Sequence, residues 1–194
     1  MSAGPIDAPY AAQLLALADA SIEHGLTRGR PLAVDPAAYP PALREHMACF
    51  VTLHHGGALR GCIGHLEAMQ PLVVDVAENA FAAAFRDPRF PPLQAGEFAG
   101  LELEISVLTP PERMSFSSEA ELLDLVVPFR DGLILEDRGR RGTFLPSVWS
   151  SLPDPRDFLR ELKRKAGLPA DHWSGGLQVS RYATQSISRA PRAS

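Results

Sequence analysis

The sequence predicts an α+β protein with a mainly antiparallel sheet flanked by helices. Two short apolar runs are separated by the pair Gly56-Gly57, which is typical of a β-hairpin. The segment Leu101–Val107 alternates apolar and polar residues as a half-buried strand does, whereas Pro71–Arg86 has an apolar stripe at helical spacing. Strands and helices follow one another without regular β-α-β alternation, so a doubly wound parallel sheet is not expected.

The first half of the chain begins with an amphipathic helix over Pro9–Glu23, which His24-Gly25 is predicted to end. A proline-rich loop follows over Arg28–Pro41. The hairpin comes next, with strands over Met47–Leu53 and Ala58–Leu66. Positive φ angles at the two glycines between these strands fit a two-residue turn.

The second half of the chain mixes helices and strands in the same way. The helix over Pro71–Arg86 ends before Asp87-Pro88, because the residue before a proline disfavours helical geometry. The remaining predicted elements are a strand over Leu101–Val107, a helix over Ser118–Leu125, a hairpin with strands Gly132–Glu136 and Thr143–Leu145, a helix capped by Asp154 with Pro155 in its first turn, and a last strand over Leu177–Ile187.

The composition is that of an ordinary globular protein: 194 residues, 45% hydrophobic and 22% charged. This length fits one domain rather than two large ones. With 19 basic and 23 acidic residues the chain has no global field that attracts nucleic acid. No apolar run reaches the roughly 20 residues that cross a bilayer, and no secretory leader pattern is present, so a cytoplasmic protein without a membrane span is expected.

The unusual segment is Leu59–Gly64, in which Cys62 lies between Gly61 and Gly64. Glycines inside a strand mark a bulge or a place where another backbone or a ligand comes close. A regular hairpin closed at Gly56-Gly57 predicts that Arg60 and Cys62 share one face of this strand.

The same regular register pairs Leu53 with Arg60 and Val51 with Cys62. Cys49 then lies on the face of Cys62 as a diagonal neighbour. Diagonal neighbours are too far apart for a disulfide bond, so two free thiols are predicted.

Cys62 has two interpretations, a reactive thiol and a small buried hydrophobic residue. Arg60, two residues away on the same face, could stabilise the thiolate form, which is the reactive one. His65 falls on the opposite face, so a dyad with Cys62 requires a bulge. Glu104, on the polar face of its strand, is a candidate for proton transfer or simply a solvated residue. Arg86 and Arg89, in the segment Arg86–Phe90 at a helix end, could bind a carboxylate or phosphate, or could favour the helix dipole.

The remaining histidines and basic residues are candidates for a metal site or an anion site. His54, His55, Cys62 and His65 do not have the spacing of an established closed zinc site, so no metal site is predicted, and no cofactor is indicated. Two basic groups are predicted to be solvated surface, with an anionic partner as the alternative: Arg138, Arg140 and Arg141, and the run Arg160, Lys163, Arg164 and Lys165.

These segments together resemble a known family. The chain from Ala11 to Ile187 resembles the AMMECR family, whose bacterial members are called AmmeMemoRadiSam system protein A. The segments that carry the resemblance, in order, are Leu59–Gly64, Ala83–Leu93, Leu103–Leu108, Gly142–Trp149 and Leu162–Leu168.

The resemblance implies a single AMMECR-type α+β domain over residues 1–194, with a larger and a smaller lobe and with Leu59–Gly64 as its functional segment. By position, Arg60, Gly61, Cys62 and Gly64 match that segment, and Glu104 lies in the matching strand. The family name implies a pathway shared with Memo-like and radical SAM proteins.

Two functions from different classes follow. In the first, the chain is an enzyme or enzyme subunit acting on a small molecule or a modification substrate. Cys62 is then the covalent residue, Glu104 moves a proton, and Arg60, Gly61, Gly64 and Arg86 bind substrate. In the second, the chain is a non-catalytic module that docks a partner protein or peptide at Leu59–Gly64.

Overall fold

The computed structural model describes residues 6–192 of the chain. The chain divides into two compact units. The first combines the residues up to Leu108 with those from Gln185 onward, and the second is Thr109–Thr184. Within residues 6–192, no helix has both the length and the apolar character needed to cross a membrane.

The helices are α1 (Ala8–Arg28), α2 (Pro41–Arg44), α3 (Leu72–Phe85), α4 (Glu119–Leu125) and α5 (Pro155–Lys165). The strands are β1 (Cys49–His55), β2 (Ala58–Gly64), β3 (Leu101–Leu108), β4 (Glu112–Arg113), β5 (Gly132–Asp137), β6 (Arg140–Phe144), β7 (Gln178–Tyr182) and β8 (Thr184–Arg189). Short 3-10 helices cover Pro36–Ala38, Ala95–Gly100 and Pro146–Ser150. The predicted α+β class with antiparallel strands flanked by helices is confirmed, and the strands form two sheets rather than one.

The first unit is a four-stranded sheet in the order β2-β1-β3-β8. α3 packs on β1 and β2, and α1 packs on α3. Because side chains alternate along a strand, Val51, Leu53 and Ile105 point into this core and are fully buried. The opposite side of the sheet is here called the polar face, and it presents Thr52, His54, Cys62, Glu102, Glu104 and Ser106.

The predicted end of the first helix at His24-Gly25 is wrong. α1 continues to Arg28 and is closed by Gly29, whose φ of 67° is left-handed. Gly25 lies inside the helix because the aromatic rings of α3 press against it; a Cβ there would lie 2.7 Å from Cδ2 of Phe81. A glycine needed for helix packing thus looked like a helix stop.

The second unit is built around a sheet in the order β4-β7-β5-β6, with α5 packed against β6. Its core contains Trp149 stacked on Phe158, with ring centroids 3.7 Å apart. The predicted cap of α5 is confirmed: the Asp154 carboxylate accepts hydrogen bonds from the backbone N–H groups of Arg156 and Asp157, at 2.8 and 3.3 Å.

Three expectations for the second half are corrected. The single last strand predicted over Leu177–Ile187 is two strands, β7 and β8, which belong to different sheets. The second hairpin turn is only Arg138-Gly139, because β5 and β6 extend to enclose it. Lys163, predicted as part of a solvated basic run, is fully buried and forms an ion pair with Glu119 at 2.7 Å.

Candidate functional site

The register of the first hairpin decides the geometry of the site. The turn at Gly56-Gly57 is confirmed, with φ of 59° and 77°. The strands then slip by one residue, because Leu53 pairs with Gly61 and His54 pairs with Leu59. Arg60 is therefore the extra residue of a β-bulge.

This bulge overturns the predicted pairs Leu53–Arg60 and Val51–Cys62. Cys62 pairs instead with Thr52. Thr52 in turn pairs with Glu104 of β3. Because directly paired residues point to the same side of a sheet, Cys62, Thr52 and Glu104 form one row across the polar face, which we call the cysteine row.

Both cysteines are free, as predicted, but the reason is different. Cys49 is fully buried on the core side of β1, whereas Cys62 is half-buried on the polar face. Burial raises the pKa of the Cys49 thiol, and the nearby Asp75 carboxylate raises it further. Cys49 is thus a structural thiol, and Cys62 is the accessible one.

Polar side chains contact Cys62 at its sulfur and at its backbone. The Thr52 hydroxyl donates to the Cys62 sulfur at 3.3 Å. The backbone N–H of Cys62 donates to Oδ2 of Asp87 at 2.9 Å, and its backbone oxygen accepts from Nη2 of Arg89 at 3.3 Å. The sulfur therefore has a hydroxyl neighbour, and both the backbone N–H and the backbone oxygen of Cys62 are hydrogen-bonded to side chains.

Asp87 and Arg89 form a unit of their own, here called the clamp. Arg89 Nε donates to Asp87 Oδ1 at 3.0 Å, and Nη2 donates to Oδ2 at 2.7 Å. These hydrogen bonds hold the pKa of the buried Asp87 carboxyl well below its usual range. Since β2 is an edge strand, the clamp occupies backbone groups of Cys62 that another strand could otherwise use.

The two glycines of Leu59–Gly64 are explained by packing. A Cβ at Gly61 would lie far inside contact distance of the Ala83 backbone oxygen in α3, so this glycine lets the helix approach the strand. A Cβ at Gly64 would collide with the Phe50 ring and the Cys49 backbone oxygen. The sequence predicted a bulge, or the close approach of another backbone or a ligand, at these glycines. At Gly61 the close group is the backbone of α3, and at Gly64 it is an aromatic ring of the neighbouring strand.

Arg60 and Arg86 do not join the cysteine row. Arg60 donates to Glu97 through Nε at 2.8 Å and Nη2 at 3.1 Å. These bonds raise the pKa of Arg60 and lower that of Glu97. Arg86 is exposed and lies over the ring of Phe81, 4.9 Å from its centroid. The guanidinium whose charge interacts with Cys62 is that of Arg89.

His65 belongs to a cluster on the helix-covered side of the sheet. Its Nδ1 lies 2.6 Å from Oδ1 of the buried Asp75, and Asn79 donates to Asp75 Oδ2 at 3.0 Å. Asp75 Oδ2 also accepts from the Cys49 backbone N–H at 3.0 Å. This placement separates His65 from Cys62.

A depression of about 490 Å³ lies beside the row on the first unit. His54, Glu102, Glu104 and Ser188 line it. Glu104 accepts a hydrogen bond from Ser106 at 3.2 Å, which orients its carboxylate. Glu104 thus belongs both to the cysteine row and to a space that could hold a small molecule.

Sequence reasoning missed Thr52, Asp87 and Arg89 as neighbours of Cys62. The sequence predicts that the arginines at this helix end could bind a carboxylate or phosphate. Arg89 does bind a carboxylate in forked geometry, but that carboxylate is Asp87. Thr52 was missed because the one-residue slip at Arg60 has no signature in hydrophobic periodicity.

Comparison with known proteins places the chain in a family. The AMMECR1 family model matches residues 15–187. A protein of Thermofilum pendens is 39% identical over 198 residues, covering 94% of this chain and 91% of the relative. Protein MJ0810 of Methanocaldococcus jannaschii is 39% identical over 176 residues, covering 87% and 84%.

A solved structure extends the similarity to the fold. The crystal structure of the uncharacterized protein PH0010 from Pyrococcus horikoshii matches with a TM-score of 0.84 and 36% identity, covering 97% of this chain and 96% of that one. The family match and these relatives span both units. The chain belongs to the AMMECR1 family.

Proposed function

We propose that the chain is a thiol-dependent enzyme, or the thiol-bearing subunit of one, that acts on a small electrophilic molecule or modification substrate through Cys62. The observation that supports this most is the cysteine row. It combines a half-buried thiol, a hydroxyl 3.3 Å from the sulfur and a carboxylate in the same line across three strands.

The separation between Cys62 and Glu104 determines which group each of them can act on. Neighbouring strands are about 4.8 Å apart, so Cys62 and Glu104 are about 10 Å apart at the backbone, with Thr52 between them. A substrate a few heavy atoms long that lies over Thr52 would reach from the sulfur to the carboxylate. Glu104 therefore acts on the substrate rather than directly on the thiol.

The covalent step is redox-neutral addition to a carbonyl group. The thiol proton leaves to solvent, and the Cys62 sulfur forms a bond to the carbonyl carbon. The carbonyl π electrons move to its oxygen, and Glu104 passes a proton from solvent to that oxygen. Return of that proton to Glu104 and cleavage of the S–C bond reverse the addition, so atoms and electrons balance.

The clamp supports this mechanism more than docking of a peptide at Leu59–Gly64. Strand addition at the β2 edge needs the outward N–H and C=O groups of Cys62, which Asp87 and Arg89 already bind. Packing also fills the space at Gly61 and Gly64. The docking alternative therefore requires release of the clamp. A cytoplasmic location, and a pathway shared with Memo-like and radical SAM proteins, stay predictions.

The test is the pH dependence of iodoacetamide alkylation at Cys62, measured by mass spectrometry on the native chain. Cys49 and the unfolded chain are internal references. We expect the Cys62 rate to reach half its maximum at least about one pH unit below the unfolded reference. Thr52→Val, which removes the hydroxyl, should lower the rate at pH 7 by about tenfold, the value of one hydrogen bond to a charged group.

The matched control is Thr27→Val on α1, where the hydroxyl donates to the backbone oxygens of Glu23 and His24 in its own helix. This variant should react like the native protein. The proposal fails if Cys62 titrates as it does in the unfolded chain, or if it stays inert until the protein unfolds. If the thiolate is activated, a panel of small carbonyl compounds should give adducts that Cys62→Ser abolishes.

A further inference from the structure

The second hairpin has a strained turn. Arg138 and Gly139 close β5 and β6, with φ of 48° and 78°. A two-residue turn of this kind prefers asparagine, aspartate or glycine at its first position, because an L side chain is strained at positive φ. Arginine therefore occupies a position where asparagine, aspartate or glycine would form the same turn with less strain. Strain of this kind is concentrated at functional sites.

A cavity of about 370 Å³ lies at this turn. Arg138, Arg140 and Arg141 line it together with Glu136, Asp137 and Gln178. Its volume is within the range of small-molecule sites. Three arginines thus border one concave space of the second unit.

The carboxylates in the cavity already have partners. Glu136 forms an ion pair with Arg141 at 3.4 Å. Asp137 is buried, with Oδ2 lying 2.5 Å from Nε2 of His172 and accepting from the Ser174 hydroxyl at 2.9 Å. The bond to His172 is the main cause that lowers the pKa of Asp137.

Arg138 and Arg140 form no ion pair within the described range 6–192, so no contact neutralises their positive charge. The Arg140 guanidinium donates to the backbone oxygen of Gly167, a neutral group. The Arg138 side chain has no hydrogen bond or ion pair with any residue in the described range 6–192; its charge only acts at longer range on Asp137. A ligand with two or more anionic oxygens could bind both guanidinium groups.

We propose that this cavity binds the phosphate group of a small molecule, with Arg138 as the principal ligand and Arg140 as the second. A small molecule fits better than a nucleic acid, because the space is concave and its volume is that of a small-molecule site. This site is independent of the function proposed for Cys62.

The experiment titrates the full chain with inorganic pyrophosphate by calorimetry at low and moderate salt. We expect saturable binding at one site that weakens as salt is added. Arg138→Asn should weaken binding at least tenfold. Because asparagine tolerates positive φ, the same variant should melt at a temperature equal to or above that of the native protein.

The matched control is Arg156→Asn, an exposed arginine at the start of α5 that does not line the cavity. It should bind pyrophosphate like the native chain. Absence of saturable binding, or equal weakening by the two variants, would overturn the proposal. A single-stranded oligonucleotide that binds more tightly than pyrophosphate, and loses affinity in both variants, would also overturn it by indicating a general basic surface.

Discussion

The two hairpins of this protein have turns of the same length, but their strands pair differently. Both close with two residues at positive φ, Gly56-Gly57 in the first unit and Arg138-Gly139 in the second. The first hairpin has a relaxed turn followed by a bulge at Arg60. The second has a strained first turn residue followed by an unbroken register from Asp137 to Leu133.

The difference shows two ways to aim a polar side chain. A bulge changes which side of the sheet every later residue faces, and this places Cys62 beside Thr52. A strained turn leaves the strands unchanged and holds one side chain, Arg138, at the tip. In the first unit the bulge lies next to the candidate thiol, and in the second unit the strained turn carries the candidate phosphate ligand.

The largest effect is expected where a helix backbone meets each hairpin. Gly61→Ala places a Cβ against the Ala83 oxygen of α3, and we expect it to lower the free energy of unfolding by about 3 kcal/mol or more. Gly142→Ala in β6 meets the Ala166 nitrogen at 2.9 Å and should cost about 1–2 kcal/mol. Urea unfolding of both variants measures the difference.

The control for these substitutions is Gly96→Ala, because nothing lies within 4 Å of a Cβ built there and its φ is not positive. It should be nearly neutral. If Gly61→Ala were as mild as this control, the helix would not constrain the bulged strand, and the packing explanation of that glycine would be wrong.

The next effect concerns the edge of the first hairpin. Asp87→Asn removes the charge that binds Arg89 and the Cys62 N–H, and it should cost about 2 kcal/mol at pH 7, the range for hydrogen bonds to a charged group. The pKa of Asp87 is lower in the folded state, so its contribution is complete above the unfolded value of about 3.9 and is lost as pH falls toward the folded value.

The measurement is the stability difference between native and Asp87→Asn proteins from pH 7 down to pH 3. The difference should be constant above about pH 5 and shrink below about pH 4. A stability difference that increases as the pH falls would contradict the assignment of an ionised, stabilising Asp87. The variant should also loosen the backbone of Cys62, seen as faster amide hydrogen exchange there.

The smallest effect exchanges the turn residues. Gly56→Arg introduces a side chain at φ 59° and should lower the free energy of unfolding by about 1 kcal/mol, whereas Arg138→Gly should raise it by about 0.5–1 kcal/mol. Nothing surrounds a Cβ at Gly56, so only backbone strain is tested there. In denaturant unfolding, the double variant should have a free energy of unfolding close to that of the native protein. If Arg138→Gly instead lowered the free energy of unfolding, contacts of Arg138 would outweigh its backbone strain.

The sequence was sufficient for features that local pattern determines. The stripe of α3, the alternation of β3, the Gly56-Gly57 turn and the Asp154 cap were each predicted from neighbouring residues, and all are present. The α+β class followed from the order of these elements. Their ends were less certain because tertiary contacts decide them, as Gly25 shows.

The site depends on contacts that local pattern does not encode. The slip at Arg60 moved Cys62 from the side of Cys49 to that of Thr52. The ion pair of Arg60 with Glu97 spans 37 positions in the chain, so proximity of Arg60 to Cys62 in sequence was misleading. Residue types identified the candidate thiol and carboxylate, whereas only the fold showed which groups surround them.

The position of the second unit within the chain has a consequence for biosynthesis. The chain leaves the first sheet after β3 and returns to it as β8, and these two strands are neighbours. At the crossing, the Thr109 N–H donates to the Ala183 oxygen at 2.9 Å, and the Ala183 N–H donates to the Thr109 hydroxyl at 2.9 Å. On the ribosome, β3 is therefore made long before its partner and keeps an open edge while the whole second unit emerges. An open edge recruits other chains, so nascent protein stalled before Gln185 should depend on chaperones to avoid aggregation.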